Sequence, residues 1–97
     1  MSEHRILVPV DFTPVSITAV NHATAVGKAL KSDIHLVHIV GKKGEFAEAR
    51  ERLHAFAAEH LHGFSGNVKS TVRIGNLFDD IDDMSVEMDA NLVIMGT

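Results

Sequence analysis

Three short stretches of the chain are almost continuously apolar: Ile6-Leu7-Val8-Pro9-Val10, Ile34 to Val40, and Leu92-Val93-Ile94-Met95. Branched runs this short suit strands covered on both faces, as in a parallel sheet. A fourth segment, Val68-Lys69-Ser70-Thr71-Val72-Arg73-Ile74, alternates instead, which predicts a strand with a wetter face, at an edge of the sheet. Helical periodicity fills the gaps. Thr13-Pro14 places an N-cap residue before a proline at the first helical position, and Ala19, Val20, Ala23, Val26, Gly27 and Leu30 follow as one stripe. A second stripe runs Phe46, Ala49, Leu53, Phe56, Ala57, His60, Leu61 and Phe64, ending near Gly63 and Gly66. A third begins at Leu77 or Phe78 after Gly75-Asn76 and continues through Ile81, Met84, Ser85 and Met88. Strands alternating with helices in the order β-α-β-α-β-α-β imply right-handed crossovers and a doubly wound α/β sheet of four parallel strands and three helices.

The chain has 97 residues, which makes a single domain over residues 1–97. Apolar residues are 45% and charged residues 23%, a globular balance too apolar for disorder. Thirteen acidic side chains against nine basic ones give a formal charge of −4, and there is no Trp or Tyr. That combination argues against nucleic acid as a partner, because it lacks both the phosphate-attracting field and most stacking rings. Without cysteine there is no disulfide framework, thiol nucleophile or Cys-ligated metal. No apolar run approaches a membrane span, and Met1-Ser2-Glu3-His4-Arg5 leads straight into the first strand, so the default expectation is a cytoplasmic protein without a signal peptide.

In open α/β sheets ligands bind beyond the carboxyl ends of the strands, where the strand order reverses. This rule singles out three rims: Val10-Asp11-Phe12-Thr13, Val40-Gly41-Lys42-Lys43-Gly44, and Gly96-Thr97. Asp11 has two readings there. Its carboxylate can accept two hydrogen bonds from a sugar diol, or it can serve as a turn aspartate that helps cap the following helix. Pro9 removes one ladder donor, which predicts an irregular strand end or an opening beside it. Gly41-Lys42-Lys43-Gly44 is not a phosphate loop, since the earlier glycine and the Ser or Thr for magnesium are missing. Gly63-Phe64-Ser65-Gly66 is no nucleophile elbow, because its second glycine comes one residue early and it leads from helix to strand. Asp79, Asp80, Asp82 and Asp83 read as a solvated acidic face at the start of the third helix, complementing its dipole. The seven histidines fail as a metal site on spacing: His60 and His62 diverge, His54 and His60 are six apart, His35 and His38 face opposite sides of a strand, and His22 is solvated. His38 reads as a hydrogen-bonded, buried histidine. No motif ties a serine, a histidine and a carboxylate into a catalytic group.

Four of these segments together resemble the universal stress protein family. Ile6-Leu7-Val8-Pro9-Val10-Asp11-Phe12-Thr13, continued by Ser16 and Ala19, resembles its first strand, turn and helix. Leu36-Val37-His38-Ile39-Val40 resembles the second strand, and Gly75 with Ile81 the approach to the third helix. Asp89-Ala90-Asn91-Leu92-Val93-Ile94-Met95-Gly96-Thr97 resembles the fourth strand. The resemblance implies an adenine nucleotide, ATP with magnesium, as ligand of the complete domain. In ATP-binding members the residues matching Pro9 and Asp11 contact adenine and ribose. The backbone matching Ile39 contacts the base, and the glycine matching Gly96 lies beside the phosphates. Val10 and Val40 flank these positions on the same rims and complete the candidate set. The family continues with a glycine-rich phosphate loop, a helix and a fifth strand, a unit of roughly 30 residues or more. The resemblance therefore implies a domain incomplete at its C-terminus, with one edge of the Leu92–Met95 strand lacking its usual neighbour. It also implies a stress-response binding module, at most a slow ATPase, forming a homo-oligomer such as a dimer. The alternative within the same family is a dimerisation or protein-interaction module that binds no nucleotide.

Overall fold

The computed structural model describes residues 4–95, with the side chains of residues 77–80 and 82 outside that description. Gly96 and Thr97 also lie outside it, as do the acidic side chains of Asp79, Asp80 and Asp82 and the apolar ones of Leu77 and Phe78. The elements follow the expected order: β1 (Arg5–Pro9), α1 (Pro14–Leu30), β2 (Asp33–Val40), a 3-10 turn at Lys43–Glu45, α2 (Phe46–Leu61), β3 (Val68–Ile74), α3 (Leu77–Glu87) and β4 (Leu92–Val93). All pairings are parallel, in the order β3-β2-β1-β4. The chain thus steps outward from β1 to β3, then crosses back to lay β4 on the far side of β1. The order reverses at β1, and a crevice opens there beyond the carboxyl ends.

Sequence parity decides which layer each strand residue meets. Ile6, Val8, Val10, Ile34, Leu36, Val40 and Val72 face α1 and α2, where Ala19, Val20, Ala23, Ala49, Leu53 and Phe56 close the larger core. Leu7, Val37 and Ile39 face the other way, onto Ile81 and Met84 of α3 and Met88 just after it. β1 and β2 are central and buried on both faces, which is why their runs hardly alternate; β3 takes the edge and does alternate. Near the β3 edge Phe64 folds its ring over Gly27 and Gly66. A β-carbon at Gly66 would stand 2.6 Å from that ring and 3.2 Å from the Ser32 carbonyl, so only glycine fits without displacement.

Two expectations change. Leu30 belongs to the α1 stripe by spacing yet is 56% exposed, because α1 ends there and the chain reverses at Lys31 in a left-handed conformation. The third apolar run is not covered on both faces as expected either: among the described residues β4 pairs with β1 through Leu92 and Val93, and Leu92 and Met95 are 40% and 42% exposed.

On the α3 face, His35 Nε2 lies 2.7 Å from Thr71 Oγ1 of the neighbouring strand. Burial, followed by the charges of Lys69 and Arg5, pulls the His35 pKa below its ordinary value of 6.5. An unfolded chain takes up this proton below 6.5 while the folded one resists it. The stability associated with His35 is therefore complete above pH 6.5 and is lost as pH falls through the folded value. The urea midpoint should drop between pH 7.5 and pH 5.5, and His35→Gln should flatten part of that drop.

Candidate functional site

The crevice at the strand reversal is a cleft of about 390 Å³, within the range of small-molecule sites. Pro9, Val10 and Asp11 from the end of β1, Val37 to Ile39 of β2, Gly75 and Asn76 after β3, Val15 and Ser16 of α1, and Met95 line it. Each strand delivers these residues by ending. β1 stops at Pro9 for a reason of register. Val10 N–H donates to Val37 O at 2.8 Å, toward β2, and Ile94 N–H donates to Leu7 O at 3.0 Å, from the β4 side. Alternation along a parallel ladder then turns Pro9 toward β4, whose pairing has already ended, so its missing N–H leaves no gap in the ladder. Just after Ile74, β3 gives way at Gly75, whose φ of 155° suits glycine and whose N–H donates to Val40 O at 3.0 Å.

Among the described residues Asp11 is fastened through one oxygen. Its Oδ1 accepts the Thr13 N–H at 3.1 Å, the Thr13 hydroxyl at 2.5 Å and the Ser16 hydroxyl at 2.5 Å. Its own N–H donates to Ser16 Oγ at 2.8 Å. These bonds, Ser16 first and Thr13 next, hold the carboxyl below its ordinary value of 3.8. Thr13 occupies the N-cap position, but its hydroxyl serves Asp11 rather than the helix. Oδ2 has no partner among the described residues. The carboxylate is therefore anionic, oriented, and half available. It fulfils the turn role without exhausting its capacity to accept from a ligand.

The residues singled out from sequence do not all converge. Pro9, Val10, Asp11 and Ile39 share the cleft. Val40 does not: it is buried on the α1/α2 face and borders a smaller hollow with Phe12, His38 and Arg52. Gly96 lies outside the described residues. Lys42 and Lys43 line neither space. Conversely, Ser16, His38, Gly75, Asn76 and Met95 line the cleft without having been selected for it. Gly75-Asn76 could have been found by applying the carboxyl-end rule to the alternating strand as well as to the apolar ones. His38 could not, since its role depends on register: its Nδ1 donates to Val10 O at 2.6 Å. Among the described residues no three His, Asp or Glu side chains converge on a metal site, and no helix is long and apolar enough to cross a membrane.

Comparison with known proteins places this geometry among related ones. The Usp model, described as "Universal stress protein family", matches residues 3–97. Among solved structures, protein Rv1636 from Mycobacterium tuberculosis H37Rv superposes with a TM-score of 0.77 at 23% identity, covering 96% of this chain and 70% of that one. A universal stress protein from Archaeoglobus fulgidus in complex with dAMP gives 0.81 at 20% identity, over 98% and 82%. A universal stress protein in complex with cAMP gives 0.72 at 18% identity, over 93% and 69%. At such identities the structural likeness is one of fold. No curated protein matched the chain in sequence.

Proposed function

We propose that this chain, which belongs to the universal stress protein family, binds an adenine nucleotide in the cleft at the carboxyl end of β1, as a stress-linked binding module. The observation that carries the reading is Asp11, ionised, bonded among the described residues through Oδ1 and not Oδ2, and lining a mostly apolar cleft. Such a carboxylate suits the hydroxyls of a ribose. By the family resemblance, Pro9 and the backbone at Ile39 would meet the base and Gly96 the phosphates; ATP with magnesium is the ligand so implied. Two structurally similar proteins carry dAMP and cAMP, which supports the adenine nucleotide class. Titration calorimetry with AMP and with Mg-ATP tests the proposal. Saturable heat that is weakened in Asp11→Ala is expected, and no heat and no thermal shift at millimolar nucleotide would sink it.

A second reading, assembly through the sheet edge, rests on β4. Its short pairing and the exposed Leu92 and Met95 leave an apolar edge with unpaired backbone. Light scattering should then give the mass of a dimer, and Leu92→Lys should shift the mass to that of a monomer. A monomer at every concentration would remove this reading.

A further inference from the structure

Phe12 is the residue between Asp11 and Thr13, and it is the central residue of the turn those two close. Its φ is 64°, the left-handed region that bulky side chains rarely adopt. That conformation is costly for a phenylalanine, and the Asp11–Thr13 bonds that close the turn locally are joined by contacts to the ring itself. The ring packs in a cluster from two other elements. The His38 ring of β2 lies 4.4 Å from the Phe12 ring, tilted by 44°. The Phe56 ring of α2 meets it edge-on at 5.8 Å, and the Arg52 guanidinium, one turn earlier, sits 4.4 Å above its face. The same His38 donates through Nδ1 to Val10 O. Both chain neighbours of Asp11 are therefore gripped by one histidine, Val10 through its carbonyl and Phe12 through its ring. Phe12 itself does not line the nucleotide cleft; it borders the smaller hollow behind it.

We infer that Phe12, clamped by His38, Phe56 and Arg52, is a positioning residue that aims the Asp11 carboxylate into the cleft and so sets the recognition of ribose hydroxyls there. The inference rests on the nucleotide reading for its ligand, but not for its geometry. Without the clamp the turn relaxes, Oδ1 loses its bonds to Thr13 and Ser16, and Oδ2 no longer has a fixed direction. The ring, rather than the backbone conformation, carries the effect. Asparagine tolerates a left-handed φ but cannot fill the aromatic cluster, whereas tyrosine restores the ring.

Phe12→Asn and Phe12→Tyr, each confirmed folded by circular dichroism, are compared with the unsubstituted chain in two measurements. The first is the affinity for AMP against 2′,3′-dideoxy-AMP. The unsubstituted chain and Phe12→Tyr should prefer AMP by about tenfold, the worth of a charge-assisted hydrogen bond, and Phe12→Asn should bind the two alike. The second needs no ligand: carbon-13 NMR titration of the Asp11 carboxyl. Its depressed pKa should persist in Phe12→Tyr and return to the ordinary carboxylate value in Phe12→Asn. If Phe12→Asn keeps the depressed titration and any preference the unsubstituted chain shows, the inference is overturned. If no chain binds AMP, the nucleotide reading fails, and the carboxyl titration alone decides whether Phe12 positions Asp11.

Discussion

Leu53→Ala is expected to lower the melting temperature by about 15 °C, the largest effect of any single side-chain truncation considered for this fold. Leu53 lies in the middle of α2, fully buried at 0% exposure, in the core formed with Ile34, Leu36, Val72 and Phe56. Truncation removes its transfer free energy and leaves a cavity between α2 and the sheet, together about 3 kcal/mol. For a domain of this length each kcal/mol corresponds to about 4–8 °C. Leu30→Ala provides the control. It deletes the same atoms from the end of α1 but from a side chain 56% exposed, and its cost should stay within about 0.5 kcal/mol. Equal losses for the two leucines in thermal unfolding would contradict the assigned core.

Asp11→Ala should weaken adenine nucleotide binding by about 10- to 100-fold, since the loss is that of a charged hydrogen-bond acceptor rather than a neutral one. The alanine variant also surrenders the bonds to Thr13 and Ser16, so a fall in affinity by itself does not separate ligand contact from turn structure. Asp11→Asn does. Its amide oxygen can still accept from Thr13 and Ser16, while the charge and the second acceptor oxygen are gone. Calorimetry should therefore find Asp11→Asn near Asp11→Ala in affinity but near the unsubstituted chain in melting temperature. The pH dependence follows from the depressed carboxyl pKa. A carboxylate favoured in the folded state contributes stability above its ordinary value of 3.8 and loses it as pH falls through the lower folded value. Nucleotide affinity should accordingly not decline through Asp11 protonation anywhere above pH 4. Affinity in Asp11→Asn equal to that of the unsubstituted chain would remove Asp11 from the site.

How much of this was legible in the sequence differs by residue. The α2 stripe is read correctly because helical period and burial are both local to Phe46–Leu61. The edge position of β3 is read from the alternation of Lys69, Thr71 and Arg73 with Val68 and Val72. Asp11 is singled out because it follows a strand, and strand ends are where α/β sheets bind ligands; the structure places it on the cleft lining. The stripe misleads at Leu30, because period reports the face of a helix but not where the covering layer stops. Val40 is grouped with Ile39 by adjacency, yet neighbours on a strand point to opposite faces, and Ile39 and Val40 divide between the two layers. His38 looks like any half-buried histidine until β1 and β2 are set in register, with its partner carbonyl 28 residues away.

By itself, then, the sequence determined the α/β class, the order of the elements, most of the core and the rim that holds Asp11, since periodicity, caps and turn residues act over a few positions. Only the tertiary structure decided the strand order β3-β2-β1-β4, the brevity of β4, the open oxygen of Asp11 and the ring clamp on Phe12. These depend on pairing between segments far apart in the chain, and at Phe12 the turn that Asp11 and Thr13 close locally is packed against rings from β2 and α2.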